Sequence, residues 1–138
     1  MKHKTSLDET VCAILSGHDR IAVVGLSEKP WRDSHRVAAY LAEQGYEILP
    51  INPEVPEVLG LRSYPDLLST PRPIEIINVF RRKEHIAEIV AQAIQLQAKA
   101  VWTQYGLVDD ASAEKARKAG LLVVMDRCIM VEHSLHFG

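Results

Sequence analysis

Residues 20–34 read RIAVVGLSEKPWRDS, and this stretch decides the fold. The apolar run at residues 21–24 is typical of a strand covered on both faces, because buried parallel strands lack a polar alternation. A polar turn follows, and Asp33 or Ser34 is expected to cap a helix that ends at Gly45. Residues 46–51, YEILPI, then predict a second buried strand that Asn52 and Pro53 terminate. The stretch therefore predicts a strand, a loop of phosphate size, a helix and a strand.

The rest of the chain continues this alternation. Apolar runs at residues 74–80, 98–103 and 121–125 predict three more strands, and helical spacing occupies residues 83–97 and the stretch from Asp109 or Asp110 to Gly120. A capping box at residues 6–9, SLDE, predicts an added helix before the first strand, and residues 126–138 form an exit segment. We expect one α/β domain over residues 1–138, a three-layer Rossmann-like, doubly wound parallel sheet of about five strands. The order 3-2-1-4-5 is preferred, and the flavodoxin-like 2-1-3-4-5 is the alternative.

Composition excludes several classes of protein. The 138 residues contain 47% hydrophobic and 25% charged side chains with a net charge of -2, which is ordinary for a globular domain and gives no basic face for nucleic acid. No apolar run approaches the roughly 20 residues of a membrane span, and residues 1–6 lack the apolar core of a signal peptide. We therefore expect a cytoplasmic protein with both cysteines reduced, Cys12 lying in the core. The sequence identifies no protein partner.

The loops after the strands carry the chemistry, because the carboxyl ends of parallel strands meet at one edge of the sheet. The dinucleotide fingerprint G-x-G-x-x-G fails, since its three positions hold Gly25, Ser27 and Pro30. Asn52 stands where a dehydrogenase would place an acid to hold a ribose diol, and an amide there suits a ribose phosphate. The sequence thus predicts a nucleotide ligand other than a plain dinucleotide.

The first loop is a candidate phosphate site. Ser27, the backbone amides of the turn and the amino end of the next helix favour anions, and Arg32 can add a forked contact. The alternative is a plain strand-to-helix turn that carries solvated charges.

Several motifs together resemble the stand-alone CoA-binding domain proteins over nearly the whole chain. They are VGLS at residues 24–27 with Pro30, Arg32 and Ser34, YL at 40–41, GY at 45–46, LPINP at 49–53, VFR at 79–81, VWTQYG at 101–106 and VMDRCIMVEH at 124–133. The family is similar to the CoA-binding domain of the succinyl-CoA synthetase alpha subunit without its partner domain, which carries the phosphorylated histidine. The resemblance implies a Rossmann-like fold, coenzyme A as the ligand and no established reaction.

The resemblance also implies a set of contact residues. The first loop would surround the phosphates, residues 51–53 would border the adenosine, and the loops after the third and fourth strands would form the opposite wall. With Cys128, which follows the fifth strand, the predicted residues are Gly25, Leu26, Ser27, Lys29, Pro30, Arg32, Ser34, Ile51, Asn52, Pro53, Phe80, Arg81, Gln104, Tyr105, Gly106 and Cys128.

The preferred function is a non-catalytic carrier, sensor or thiol-protecting protein for coenzyme A or an acyl-CoA, with no catalytic residue and no metal site. One alternative is an enzyme that processes acyl-CoA with Cys128 or His133 as nucleophile or base. Another is a regulatory module for NAD or a different nucleotide. Cys128 either meets the CoA thiol, with a mixed disulfide as one outcome, or is a small buried residue. His133 and His136 have no partner spacing typical of a metal site and are expected to have surface or packing roles.

Overall fold

The computed structural model describes residues 6–138, in which helices cover both faces of a parallel sheet. Short 3-10 turns at Leu67–Ser69 and Lys83–His85 precede the third long strand and the third helix. The helices are α1 Ser6–Gly17, α2 Asp33–Glu43, α3 Ile86–Gln95, α4 Asp110–Lys118 and α5 Ile129–Phe137. The strands are β1 Arg20–Val24, β2 Glu47–Ile51, β3 Glu57–Val58, β4 Leu61–Arg62, β5 Ile76–Val79, β6 Ala100–Thr103 and β7 Leu122–Val124.

The five long strands form one parallel sheet in the order β2-β1-β5-β6-β7, and β3 and β4 form a small antiparallel hairpin. In the numbering of the long strands alone this order is 2-1-3-4-5. The Rossmann-like α/β sheet of five parallel strands is confirmed, but the preferred order 3-2-1-4-5 is wrong. The third long strand, β5, pairs with β1 and not with β2.

Hydrogen bonds at the outer edge of β2 and at the start of β1 explain this order. On the outer edge of β2, Tyr64 donates its N–H to the Pro50 carbonyl and accepts the N–H of Asn52, so that edge is occupied. Beside β1, the Glu75 carboxylate accepts the backbone N–H groups of Asp19 and Arg20 at 2.8 and 2.9 Å. Since Glu75 immediately precedes β5, these bonds hold the start of β5 against the start of β1.

Glu75 is charged in this position. Burial by itself would raise the pKa of its carboxyl, but the two backbone N–H groups and the neighbouring His18 together lower it below the usual value. The carboxylate therefore remains an acceptor for both donors at neutral pH.

The sheet separates two apolar layers. On one face α3 and α4 pack through residues such as Val90 and Ala116. On the other face α1, α2 and α5 pack through residues such as Ile14, Leu41 and Ile129. Trp102 is fully buried in this second layer and donates its indole N–H to the Arg127 carbonyl.

Local signals predicted some boundaries and missed others. Asp109 caps α4 by accepting the Ser112 N–H, as expected, and Gly45 has the expected positive φ of 102°. The N-cap of α2 is Arg32 and not Asp33 or Ser34, because the helix begins one residue earlier than the pattern indicates. The exit segment contains α5, which the sequence did not predict. The capping box expected at the start of α1 depends on the side chain of Ser6, which lies outside the described side chains.

No helix within residues 6–138 combines the length and apolar character required to cross a membrane.

The backbone of Phe80 lies close to Gly25, and replacing Gly25 with alanine tests this contact. Gly25 has φ +87°, and a Cβ there would lie 2.9 Å from the Phe80 carbonyl oxygen. Gly45 is a matched control, because its φ is +102° and a Cβ would meet nothing within 4 Å. We expect Gly45→Ala to lower the free energy of unfolding by about 1–2 kcal/mol through backbone strain. Gly25→Ala should lose at least about 1 kcal/mol more, through the clash.

Urea unfolding of the two variants and the wild type measures this difference. Equal losses for the two glycines would show that the Phe80 carbonyl does not constrain position 25.

Candidate functional site

A cavity of about 950 Å³ opens at the carboxyl ends of β1, β2 and β5. This volume is at the upper end of the roughly 300–1,000 Å³ usual for small-molecule sites. One wall consists of the loop after β1 and the amino end of α2. The other walls are the loop after β2 with residues 65–67, and the loop after β5 with one side of α3. The lining residues are Val24, Gly25, Ser27, Glu28, Lys29, Trp31, Arg32, Asp33, Ser34, Ile51, Asn52, Pro53, Glu54, Val55, Pro65, Asp66, Leu67, Phe80, Arg81, His85, Glu88, Ile89 and Gln92.

The first loop is held in shape by its own hydroxyl groups. The Ser34 hydroxyl accepts the Ser27 N–H at 3.0 Å, and the Ser27 hydroxyl accepts the Lys29 N–H at 3.1 Å. These two serine oxygens therefore organise the loop as acceptors, and each hydroxyl still has its own O–H to donate. The amino end of α2 has no side-chain cap, since Arg32 stands at the N-cap position. An uncapped helix start that borders a cavity is a favourable place for an anion.

Asn52 joins the first two loops. Its side-chain amide donates to the Leu26 carbonyl at 3.0 Å, and its side-chain oxygen accepts the Glu54 N–H at 2.8 Å. Both polar ends of the side chain are thus engaged within the protein. The residue holds the loop after β2 against the loop after β1.

The opposite wall begins where β5 ends. The Phe80 N–H donates to the Val24 carbonyl at 2.8 Å, and the guanidinium of Arg81 lies 3.1 Å from His85 Nε2. Since guanidinium groups only donate, the His85 Nε2 atom is the acceptor in this contact. Arg81 is consequently oriented along the cavity wall.

The charges around the cavity are mixed. Lys29, Arg32 and Arg81 supply cations on two walls. One of the acids in the lining, Asp33, pairs with Arg36 of α2. Trp31 is 68% exposed at the cavity mouth, and the Lys29 ammonium lies 5.9 Å from its ring centroid. The remaining acids in the lining are Glu28, Glu54, Asp66 and Glu88.

The structure brings ten of the predicted residues to this cavity, namely Gly25, Ser27, Lys29, Arg32, Ser34, Ile51, Asn52, Pro53, Phe80 and Arg81. Six others do not line it. Leu26 is fully buried in the core and Pro30 is exposed on the loop. The other four, at residues 104–106 and 128, lie beyond β6 and β7.

The predicted residues that follow β6 and β7 contact other parts of the protein. The Gln104 side chain is buried and its oxygen accepts the N–H of Ile129 at the start of α5. The Gly106 N–H donates to the Asp126 carboxylate at 2.7 Å, while Tyr105 is 61% exposed. Cys128 is only 6% exposed and occupies the N-cap position of α5. These contacts join the loop after β6 to the turn after β7.

The cavity wall that the α3 region forms was not predicted from the sequence. His85, Glu88, Ile89 and Gln92 of the α3 region line the cavity. They lie there because β5 is the neighbour of β1, so the element that follows β5 faces the first loop. The helical spacing of residues 83–97 was visible, but only the strand order assigns that helix to the site.

His133 lies in an aromatic cluster and not in the cavity lining. Its Nδ1 atom is 2.9 Å from the Tyr40 hydroxyl, its ring meets Tyr46 edge-on and stacks on Phe137. Burial lowers the pKa of its imidazole below the ordinary value. Among residues 6–138, no group of three or more His, Cys, Asp or Glu side chains is arranged to hold a metal ion.

The chain is similar in sequence and in fold to several known proteins. The sequence model of the CoA binding domain family matches residues 19–134. The protein YneT of Bacillus subtilis (strain 168) is 40% identical over 122 residues, which cover 88% of this chain and 90% of YneT. The solved structure of a hypothetical protein from Pyrococcus horikoshii OT3 is 40% identical, covers 100% of both chains and has a TM-score of 0.91. A structure from Thermus thermophilus is 36% identical with a TM-score of 0.88, covering 94% of this chain and 98% of that one.

The buried His133 predicts a pH-dependent stability. Because its folded-state pKa is lowered, the unfolded chain binds the proton more readily, and stability should fall as the pH drops through the unfolded value near 6.5. His133→Gln should remove this part of the pH dependence between about pH 7.5 and pH 5.5. Tyr40→Phe is the control, since it deletes the hydroxyl but keeps the imidazole buried. Urea unfolding at both pH values measures the effect, and an unchanged slope in His133→Gln would refute it.

Proposed function

The chain belongs to the CoA binding domain family, and from this premise we propose that it binds coenzyme A or an acyl-CoA in the cavity at the carboxyl ends of β1, β2 and β5. The observation that carries the proposal is the meeting of the uncapped amino end of α2 with the side chains of Lys29, Arg32 and Arg81 on a single cavity. A nucleotide with several phosphates is the ligand class that such an arrangement suits, because the helix dipole and the guanidinium forks both favour anions.

We place the phosphates over the first loop. Gly25 borders the cavity there, the Ser27 and Ser34 hydroxyl groups keep the loop in shape, and Arg32 supplies the charge. The loop is then already ordered before the ligand arrives, which reduces the entropy cost of binding. Arg81 faces the same space from the opposite wall.

The adenosine fits beside the loop after β2. Ile51 and Pro53 offer apolar contact, and Asn52 keeps this loop fixed relative to the first one. The α3 wall, with Ile89 and Gln92, completes this side. The pantetheine arm and the thiol then lie toward the open part of the cavity.

We propose that the protein holds its ligand without transforming it, as a carrier, a sensor or a protector of the thiol. The support is the position of the two groups that an acyl-CoA enzyme would use. Cys128 is buried at the start of α5, and His133 is bonded to Tyr40 in an aromatic cluster. Release of free thiol from acetyl-CoA in a single turnover would instead favour the enzyme.

A regulatory module for NAD or another nucleotide is the second candidate. The failed glycine fingerprint argues against it, since Ser27 and Pro30 occupy two of the three glycine positions. A receiver-like signalling domain shares the 2-1-3-4-5 order but needs clustered acids at the strand ends, where this chain has Gly25 and Asn78.

Ligand choice is tested by thermal unfolding. Coenzyme A should raise the melting temperature, because a ligand that binds only the native state stabilises it by mass action. NAD and NADP should do so weakly or not at all. Native mass spectrometry of the freshly purified protein provides an independent measurement. Equal stabilisation by NAD would overturn the assignment.

Arg32 is tested by calorimetric titration with coenzyme A. We expect Arg32→Ala to weaken binding roughly tenfold to a hundredfold, the value of a lost charge-assisted hydrogen bond. The matched control is Arg82→Ala, which removes the same charge at an exposed position that does not line the cavity. The loss should be larger at low salt, because added ions screen the contact.

Comparing the two arginine variants distinguishes a specific contact with the ligand from a general effect of net charge. Equal weakening by both would show that only net charge matters. An unchanged dissociation constant in Arg32→Ala at low salt would show that the phosphates are held elsewhere.

A further inference from the structure

A thiol, an imidazole and two carboxylates meet where α1 packs against α5, away from the cavity. Cys12 Sγ lies 3.6 Å from His136 Nδ1. The other ring nitrogen, His136 Nε2, lies 3.6 Å from the Glu132 carboxylate and 4.0 Å from the Asp8 carboxylate. Asp8 and Cys12 belong to α1, and Glu132 and His136 belong to α5.

Cys12 is not in the core, where the sequence placed it. Its neighbours Val11 and Ile14 are fully buried, whereas Cys12 is partly exposed beside His136. The thiol is thus reachable from solvent. Cys128, the second cysteine, is only 6% exposed.

We propose that Cys12 is a nucleophilic modification site that forms a mixed disulfide with low-molecular-weight disulfides. The arrangement has the three parts of an activated nucleophile, since the thiol is within reach of a base and the base is oriented by a third group. His136 Nδ1 accepts the thiol proton. Glu132 and Asp8 favour the imidazolium that results, because opposite charges stabilise each other across a few ångströms.

The exchange balances without a further reactant. The Cys12 thiolate attacks one sulfur of the external disulfide, and a new S–S bond forms as the old one breaks. Cys12 is oxidised, and the departing half of the reagent is reduced to a thiolate. The proton held by His136 then passes to that thiolate.

A small disulfide is the reactant that fits this surface. Attack on a disulfide sulfur needs an accessible thiolate, but it needs neither a pocket nor hydrogen-bond donors for an oxyanion. The thiol, the imidazole and the carboxylates lie at the junction of α1 and α5. The site is also separate from the proposed ligand cavity. None of its four residues lines the cavity, and Asp8, Cys12 and His136 all lie outside residues 19–134, the part shared with the family.

The first test uses the unaltered protein. It is exposed to a limiting amount of glutathione disulfide near neutral pH, and peptide mass mapping identifies the cysteine that carries the adduct. We expect the adduct on Cys12. An adduct mainly on Cys128 would overturn the proposal.

The second test measures rates with a chromogenic dithiodipyridine. Wild type and Cys128→Ser should share a fast phase that Cys12→Ser lacks. His136→Gln should slow this phase about tenfold near pH 7, where an unassisted thiol is only a few per cent ionised. Glu132→Gln, which keeps the imidazole, should slow it by less.

The alkaline rate separates base assistance from altered access. Above about pH 9.5 a free thiol is ionised without help, so the deficit of His136→Gln should disappear there. A deficit that persists at high pH would show that the substitution only blocks the thiol, and an unchanged rate near pH 7 would show that His136 does not assist it. Either result would overturn the proposal. Coenzyme A binding by Cys12→Ser should equal that of wild type, so this test and that of the proposed ligand fail independently.

Discussion

The contact between the Phe80 backbone and Gly25 is the constraint on which the site depends. The Phe80 N–H bonds to the Val24 carbonyl while the Gly25 N–H bonds to the Ile51 carbonyl, so three strand ends converge on one residue. Only a glycine fits, because a Cβ would lie 2.9 Å from the Phe80 oxygen. This convergence sets β1 between β2 and β5. The cavity then lies at the carboxyl ends of β1 and its two neighbours, where the strand order reverses. Open α/β sheets bind their ligands at such a point.

The strands were predictable from the sequence because buried parallel strands appear as short, continuous apolar runs. Their order was not, because an apolar run does not identify its neighbour. The order depends on contacts made far along the chain, such as the Glu75 carboxylate on the Asp19 N–H and Tyr64 on the edge of β2. Neither leaves a signal in hydrophobic periodicity. The same limit explains α5, whose start lacks a side-chain cap and which packs through Ile129 and His133.

The strand order decides which of the predicted residues meet at the cavity. Gln104 was expected near it because the carboxyl ends of parallel strands meet at one edge of the sheet, and because of the family resemblance. In the observed order β5 is the neighbour of β1, so Arg81 and the α3 wall face the cavity. The residues predicted from the loops after the first two strands all come from the β1-β2 unit, which is common to both orders. Their placement does not depend on which order is correct. Leu26 and Pro30 do not line the cavity, whereas the other eight residues predicted from this unit do: Gly25, Ser27, Lys29, Arg32, Ser34, Ile51, Asn52 and Pro53.

Residue type alone also could not separate the polar side chains that shape the site from those that face a ligand. Ser27, Ser34 and Asn52 look like ligand contacts in the sequence, yet their polar groups bond to the backbone of the loops. These bonds fix the loops, while each serine hydroxyl still has its own O–H to donate. Lys29 and Arg32 can add charge to the site, because a long exposed side chain can reach an anion without altering the loop that carries it. The geometry of this cavity therefore depends on bonds between loops, and it becomes visible only when the strand order is known.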